Sequence, residues 1–293
     1  MEAGKEKHTP DGKKRHRRWS LFKILVAIFG IVLRLCRLHQ RGVQNARDIT
    51  LTRLDLTFDE LPAEFDGFKI LQLSDLHVDF LPGTTDAAAR MVKGVEADLC
   101  ILSGDYRRRV SGPFRQIMPP LQELVAGVST RHGVLAVLGN HDCAEMAPAL
   151  EELGVTVLVN ETRSLARGDA QIHLTGTDDV HYYYTAAADA ALGATPDGFK
   201  IALVHSAELA DVAADAGFDL YLAGHTHGGQ VCLPGGIPII THMNRHRGYA
   251  AGLWQRGQML GYSSTGVGVS GLPVRFNSRG EVVLMTLRRT ARE

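Results

Sequence analysis

Residues 68–73 read FKILQL and stop at Ser74-Asp75, and that short passage sets the reading of the whole chain. Four more apolar runs end the same way: DLCIL (98–102) before Ser103-Gly104-Asp105, GVLAVL (133–138) before Gly139-Asn140, KIALV (200–204) before His205, and DLYLA (219–223) before Gly224-His225. Runs this short and this continuously apolar are strands buried on both faces, since a strand with one wet face would alternate. Helix-like stretches at 84–96, 114–126, 144–153 and 207–216 separate them. The alternation predicts a layered α/β domain with helices covering the sheet on both faces. Loops diverge at the carboxyl ends of such strands and leave a crevice, so the five polar clusters would face one ligand site.

Outward from this centre the pattern changes. ITLTRLDLTF (49–58) alternates apolar and polar residues, as a half-buried strand does, and QMLGYSS (258–264) and EVVLMTL (281–287) read as further strands, of antiparallel type. No internal repeat interrupts the series. An apolar share of 45% in 293 residues is ordinary for a globular chain with a sizeable core. The four cysteines, Cys36, Cys100, Cys143 and Cys232, form no CxxC pair and no regular spacing, which indicates free thiols in place of a zinc knuckle or disulfide scaffold. Cys143 follows one of the polar clusters, but a nucleophilic thiolate needs a base partner.

The formal net charge of zero conceals a split: residues 1–47 hold 12 Lys/Arg and 3 Asp/Glu, leaving 20 basic against 29 acidic afterwards. The division predicts a basic arm (1–47) and an acidic catalytic domain (48–293). Residues 19–33, WSLFKILVAIFGIVL, are apolar except for Lys23, and an extension to about residue 38 would have Arg34 and Arg37 snorkel. Spanning a bilayer takes about 20 apolar residues. A short signal anchor, an interfacial helix and a cleaved signal are all compatible with this segment, although no small-x-small site follows it. Arg17-Arg18 match a twin-arginine signal poorly because Trp19 and Ser20 follow. Basic charge on both sides of an apolar stretch points to membrane attachment and an anionic lipid surface, and an acidic domain speaks against nucleic acid as partner.

The clusters together supply carboxylate, amide and imidazole groups: Asp75-Leu76-His77, Gly104-Asp105, Gly139-Asn140-His141-Asp142, His205, and Gly224-His225-Thr226-His227. That mixture suits a borderline-hard divalent ion such as Mn, Fe, Zn or Co better than Ca or Mg. D-x-H, G-D, G-N-H-D, H and G-H-x-H in this order resemble the calcineurin-like metallophosphoesterase family, and GHTHGGQ (224–230) is similar to its bacterial membrane-associated phosphodiesterase subgroup. The resemblance implies a β-sheet sandwich flanked by helices and two divalent metal ions, manganese first among them. Asp75, His77 and His227 would hold one ion, Asn140, His205 and His225 the other, and Asp105 would bridge them. Two ions about 3.5–4 Å apart grip a phosphoryl group and activate a water for in-line attack. His141 would stabilise the phosphoryl charge or protonate the leaving oxygen.

One block departs from the family pattern. Many relatives read G-D-x-x-D, the last Asp orienting the catalytic His; here GDYRRR puts Arg108 in that place. Asp142 or the pair Asp178-Asp179 could substitute, or His141 could act without an orienting carboxylate. The run of Arg107, Arg108 and Arg109 could contact substrate phosphate or be a solvated loop. Tyr182, Tyr183 and Tyr184 could line an apolar groove or belong to a half-buried loop. The resulting expectation is a phosphodiesterase or pyrophosphohydrolase at the bacterial inner membrane, its substrate a lipid such as UDP-2,3-diacylglucosamine. A phosphomonoesterase or protein phosphatase on the same fold is the alternative enzyme, and a non-catalytic scaffold the alternative of another kind.

Overall fold

A computed structural model describes residues 12–291, with side chains from residue 24 onward. Residues 1–11 of the basic arm, and the side chains of Arg17, Arg18, Trp19 and Ser20, therefore lie outside the described residues. In chain order the main strands are β1 (Ile49–Phe58), β2 (Lys69–Leu73), β3 (Leu99–Leu102), β4 (Val134–Ala136), β5 (Val155–Val157) and β6 (Glu161–Arg167). They continue as β7 (Ala170–Gly176), β8 (Phe199–Leu203), β9 (Leu220–Ala223), β10 (Gly252–Arg256), β11 (Met259–Ser263) and β12 (Gly280–Arg289). Two six-stranded sheets result, ordered β1-β12-β2-β3-β4-β5 and β10-β11-β9-β8-β7-β6.

Period-two alternation explains how the central strands are buried on both faces. In β2, Ile70 enters the core between the sheets while Leu71 and Leu73 face the helices; in β8, Ile201 and Leu203 point between the sheets and Ala202 points outward. Helices α3 (Thr84–Val92), α4 (Met118–Ala126) and α5 (Met146–Glu151) cover the first sheet, and α6 (Ala186–Gly193) and α7 (Ala210–Asp215) the second. The periodicity reading of one sheet with helices on both faces is thus corrected, while the sandwich flanked by helices that the resemblance implied is found: each sheet has helices on one face and the other sheet on its second face. Apolar content cannot distinguish these arrangements, because a strand side chain is dry in either.

The last strand also differs from its reading. β12 pairs antiparallel with β2 yet parallel with β1, and β11 is parallel to β9 though antiparallel to β10. At the amino terminus, α1 (Gly12–Leu35) and α2 (His39–Arg47) replace the apolar helix expected at 19–38. Basic residues 13–18 form the first turns of α1, and the helix stops before Arg37, which takes φ of 59°. Among the described residues no helix is long and apolar enough to cross a membrane.

Candidate metal centre

The carboxyl ends of β2, β3, β4, β8 and β9 converge on one edge of the sandwich, and the seven proposed ligands sit immediately beyond them. The chain must turn sharply there. Asp75, His77, Asp105, His225 and His227 all take positive φ, between 39° and 72°, a region costly to residues with a Cβ and held only where the surroundings enforce it. Cross-links between loops supply that enforcement: the N–H of Asp75 donates to the Gly104 carbonyl (3.0 Å), that of His77 to Asp105 (3.0 Å) and that of Gly224 to His205 (2.9 Å). Gly224 is required by close approach, since a Cβ there would lie 1.8 Å from Ser74 Oγ and 2.4 Å from Asp75 Oδ2.

Tautomers follow from the partners. His77 Nδ1 lies 2.8 Å from the carbonyl of Arg107 and His205 Nδ1 2.7 Å from that of Ser103; a carbonyl only accepts, so both donate there and their Nε2 atoms face the crevice. His77 Nε2 meets His227 Nε2 at 3.2 Å, and His227 Nε2 is 3.6 Å from Asp75 Oδ1. Asn140 Oδ1 lies 3.2 Å from His205 Nε2 and 2.8 Å from His225 Nδ1. Asp105 Oδ2 stands between the two groups, 3.6 Å from His77 Nε2 and 3.4 Å from His205 Nε2. Donor atoms converging at these separations fit cations bonded at about 2.0–2.2 Å, and the His77 ring, whose Nδ1 carries the proton, leaves its Nε2 lone pair facing the Asp105 carboxylate. Two sets, Asp75/His77/His227 and Asp105/His205/His225, each bring their donor atoms within 4.8 Å of one another.

Electrostatics agree with a site built for positive charge. Burial lowers His77 to about 4 and drives His225 and His227 well below the usual imidazole range. Burial likewise raises Asp75 to about 6. Asp105 is pushed up by burial but held well below the carboxylate range by His205, His141 and His77 around it.

His141 lies beside this cluster. Its N–H donates to Asp105 Oδ1 (2.8 Å), its ring packs edge-on to His77, and its Nε2 is 3.9 Å from Asp105 Oδ2. The missing orienting carboxylate is replaced by none of the expected groups: His141 Nδ1 donates to the backbone carbonyl of Arg108. Asp142 is occupied elsewhere, accepting the N–H groups of Asp105 (2.7 Å), Tyr106 (3.0 Å) and Gly139 (2.8 Å), and so braces the ligand loops. Asp178 and Asp179 accept from their own loop, at Asp179 and Tyr182.

The arginine run is likewise neither solvated nor a phosphate clamp throughout. Arg107 is 1% exposed, and its guanidinium donates to the carbonyls of His141 (2.7 Å) and Gly112 (2.6 Å); Arg108 lies over the Phe80 ring at 4.0 Å. Cys143 is half-buried, and burial raises its thiol, so it is no ready nucleophile.

Residues 68–229 match the calcineurin-like phosphoesterase family. The chain belongs to that family. It is 32% identical over 245 residues to the uncharacterized metallophosphoesterase YkuE of Bacillus subtilis, covering 78% of this chain and 82% of that one. Phosphodiesterase YaeI of Escherichia coli is 32% identical over 235 residues, 75% of this chain and 82% of its own. A Bos taurus protein named transmembrane protein with metallophosphoesterase domain is 31% identical over 271 residues, and this chain spans 59% of its length. The protein is a metallophosphoesterase, a hydrolase of phosphoester bonds, which sets aside the scaffold reading.

Several contributors around the site escaped the sequence reading. Arg275 is fully buried and donates to the carbonyls of His227 (3.1 Å), Thr265 (2.6 Å) and Gly268 (2.7 Å), fixing the ligand loop to the segment behind Asp75; burial lowers it to about 10. In sequence it is one arginine in a Gly- and Ser-containing loop. His181 stacks on His225 with centroids 4.0 Å apart. The orienting carbonyls of Ser103, Arg107 and Arg108 leave no trace in side-chain identity.

Proposed function

We propose that this chain is a phosphodiesterase or pyrophosphohydrolase working with two divalent cations, on a substrate presented at a membrane surface. The observation that carries the reading is the place of Asp105 Oδ2 between two imidazole-bearing groups. Asp75, His77 and His227 would hold one ion, Asn140, His205 and His225 the other, and Asp105 would serve both. Imidazole with carboxylate and amide favours manganese, iron, zinc or cobalt. Such ions supply Lewis acidity toward phosphoryl oxygens and a nucleophilic water at neutral pH.

The remaining work falls to the chain. Asp105 anchors the His141 backbone, the Arg108 carbonyl takes the Nδ1 proton, and a second proton on Nε2, present when the ring is an imidazolium, would meet phosphoryl charge or pass to the leaving oxygen. The likeness to phosphodiesterase YaeI of Escherichia coli supports a diester. Exposed apolar residues on α1, flanked by arginines, support a lipid-linked substrate such as UDP-2,3-diacylglucosamine at the bacterial inner membrane.

Metal analysis of purified protein, coupled to assays on bis-p-nitrophenyl phosphate and p-nitrophenyl phosphate, tests the reading. Two ions per chain and preference for the diester are expected; preference for the monoester would install the phosphatase alternative. Removing residues 1–47 should release the protein from membranes in a flotation assay, spare turnover of soluble diesters and sharply reduce turnover of a lipid-bearing substrate. Equal loss of both activities would mean that the arm is more than an anchor.

A further inference from the structure

Beyond α1, the exposed large apolar residues include a second group close to the metal centre. Leu233, Ile237, Ile239 and Ile240 are 52%, 59%, 57% and 43% exposed and lie on or beside a small hairpin, Cys232–Leu233 paired antiparallel with Ile237–Pro238. The hairpin starts five residues after the ligand His227 and packs on the ligand loop. A Cβ on Gly229 would lie 2.5 Å from Pro238 Cβ, and the Cys232 thiol donates to the Gly228 carbonyl at 3.0 Å.

The hairpin and α1 share a backing segment at residues 270–272. On a helix of 3.6 residues per turn, Ile24, Leu25, Ile28, Ile31, Val32 and Leu35 span about 120° of arc, and all six are exposed. Gly30 and Leu33 lie on the opposite side and are buried, the Gly30 Cα facing Leu272. Gln230, at the foot of the hairpin, donates to the carbonyls of Leu272 (2.8 Å) and Ser270 (3.0 Å), so one segment backs both elements.

Charge selects the occupant. Residues 24–47 carry Arg34, Arg37, Arg41 and Arg47, and residues 230–250 carry Arg245 and Arg247; neither stretch has a single Asp or Glu, in a chain that is otherwise acidic. On α1 the apolar arc shares its stretch with arginines and no acid, which matches the boundary between acyl chains and anionic headgroups, whereas Glu208 and Asp211 face the 244–246 segment beyond the hairpin.

We propose that the 232–240 hairpin is a second membrane-contacting element, which with α1 seats the rim of the metal centre on an anionic lipid surface. This rests on the membrane reading above and adds to it that the catalytic domain itself, and not the arm alone, touches lipid. An arm acting as a tether would leave the site at any distance from the bilayer, whereas the hairpin sets it at headgroup level.

The test uses the full chain and vesicles of phosphatidylethanolamine with phosphatidylglycerol, against vesicles of phosphatidylcholine. Leu233→Asp with Ile237→Asp should lower partition into the anionic vesicles by about ten-fold or more, since burying each such side chain is worth about 1.5–3 kcal/mol and ten-fold is 1.4. Turnover of bis-p-nitrophenyl phosphate should stay within about two-fold. Ile28→Asp with Ile31→Asp separates the two ideas. Partition lost only in the helix pair leaves the arm as anchor and overturns the hairpin; partition unchanged in both pairs overturns the membrane reading itself. Should the hairpin pair fail to fold, Ile237→Trp decides: its emission should shift to the blue and be quenched by brominated lipid, and an unshifted spectrum would overturn the proposal. A dimer that the hairpin pair dissociates, with no vesicle binding by the parent chain, would assign the patch to a second copy and overturn it equally.

Discussion

The two halves of the candidate metal cluster are built from similar donors, yet burial keeps both imidazoles of one half neutral while nearby carboxylates hold a proton on one imidazole of the other. Around Asp75, both imidazoles are kept neutral by burial, His77 near 4 and His227 well below the usual imidazole range. Around Asn140, His225 is neutral for the same reason, but His205 is raised to about 10, because Asp105 and Asp75 together overcome the burial that lowers it. One half presents lone pairs ready to bind; the other holds a proton on the atom a cation would need. The difference lies in the charge around each ring: Asp105 Oδ2 is 3.4 Å from His205, where Asp75 and Asp179 add to it, whereas at His77 burial outweighs the same oxygen 3.6 Å away. A group that serves both halves also couples them.

Breaking that coupling should have the largest effect. Asp105→Asn should bring turnover to background with the fold intact, because a neutral amide cannot balance two cations. Circular dichroism and activity under matched metal loading check this, and retained metal-dependent turnover would refute the bridging role. Next, His141→Ala should lower turnover by roughly 10²–10⁴ while metal content stays near two per chain, as loss of an acid beside the cluster predicts. An ion lost from this variant would make His141 a ligand.

The asymmetry itself can be read without activity. In metal-stripped protein, His205 has a folded-state pKa of about 10, above its ordinary 6.5. Its contribution to stability is therefore complete below about pH 6.5 and lost as pH rises through 10. Thermal melts of stripped protein should fall in Tm from pH 7 to 10, and His205→Gln should flatten that slope; an equal slope in the variant would sink the assignment. The smallest effect is expected at Arg108→Ala. The His141 partner is the backbone carbonyl, so turnover should change by less than about ten-fold, at or under the lower end for loss of an orienting group.

What could be read in advance was whatever a side chain's identity announces. Five apolar runs ending in Asp, His or Asn marked the strands and the seven residues that the structure brings together, because burial on both faces forbids polar interruptions until the strand ends. Helix positions were legible to within a few residues, as at Thr84–Val92, where the reading ran on to residue 96. β6, β7 and α6 went unread: β6 is largely exposed, and α6 is rich in small residues, so neither shows a strong apolar period.

Pairing and orientation were another matter. Whether an apolar strand face meets a helix or a second sheet depends on which strands become neighbours, and β12 inserts between β1 and β2 from more than 200 residues away. The orienting group for His141 was sought among carboxylates because only side chains are written in a sequence. Every residue carries a carbonyl, and which one faces an imidazole is decided by the path of the loop. The positive φ of five proposed ligands and the burial of Arg275 belong to that same class. Composition and periodicity determine which atoms want to leave water; only the closed chain determines which atoms they meet.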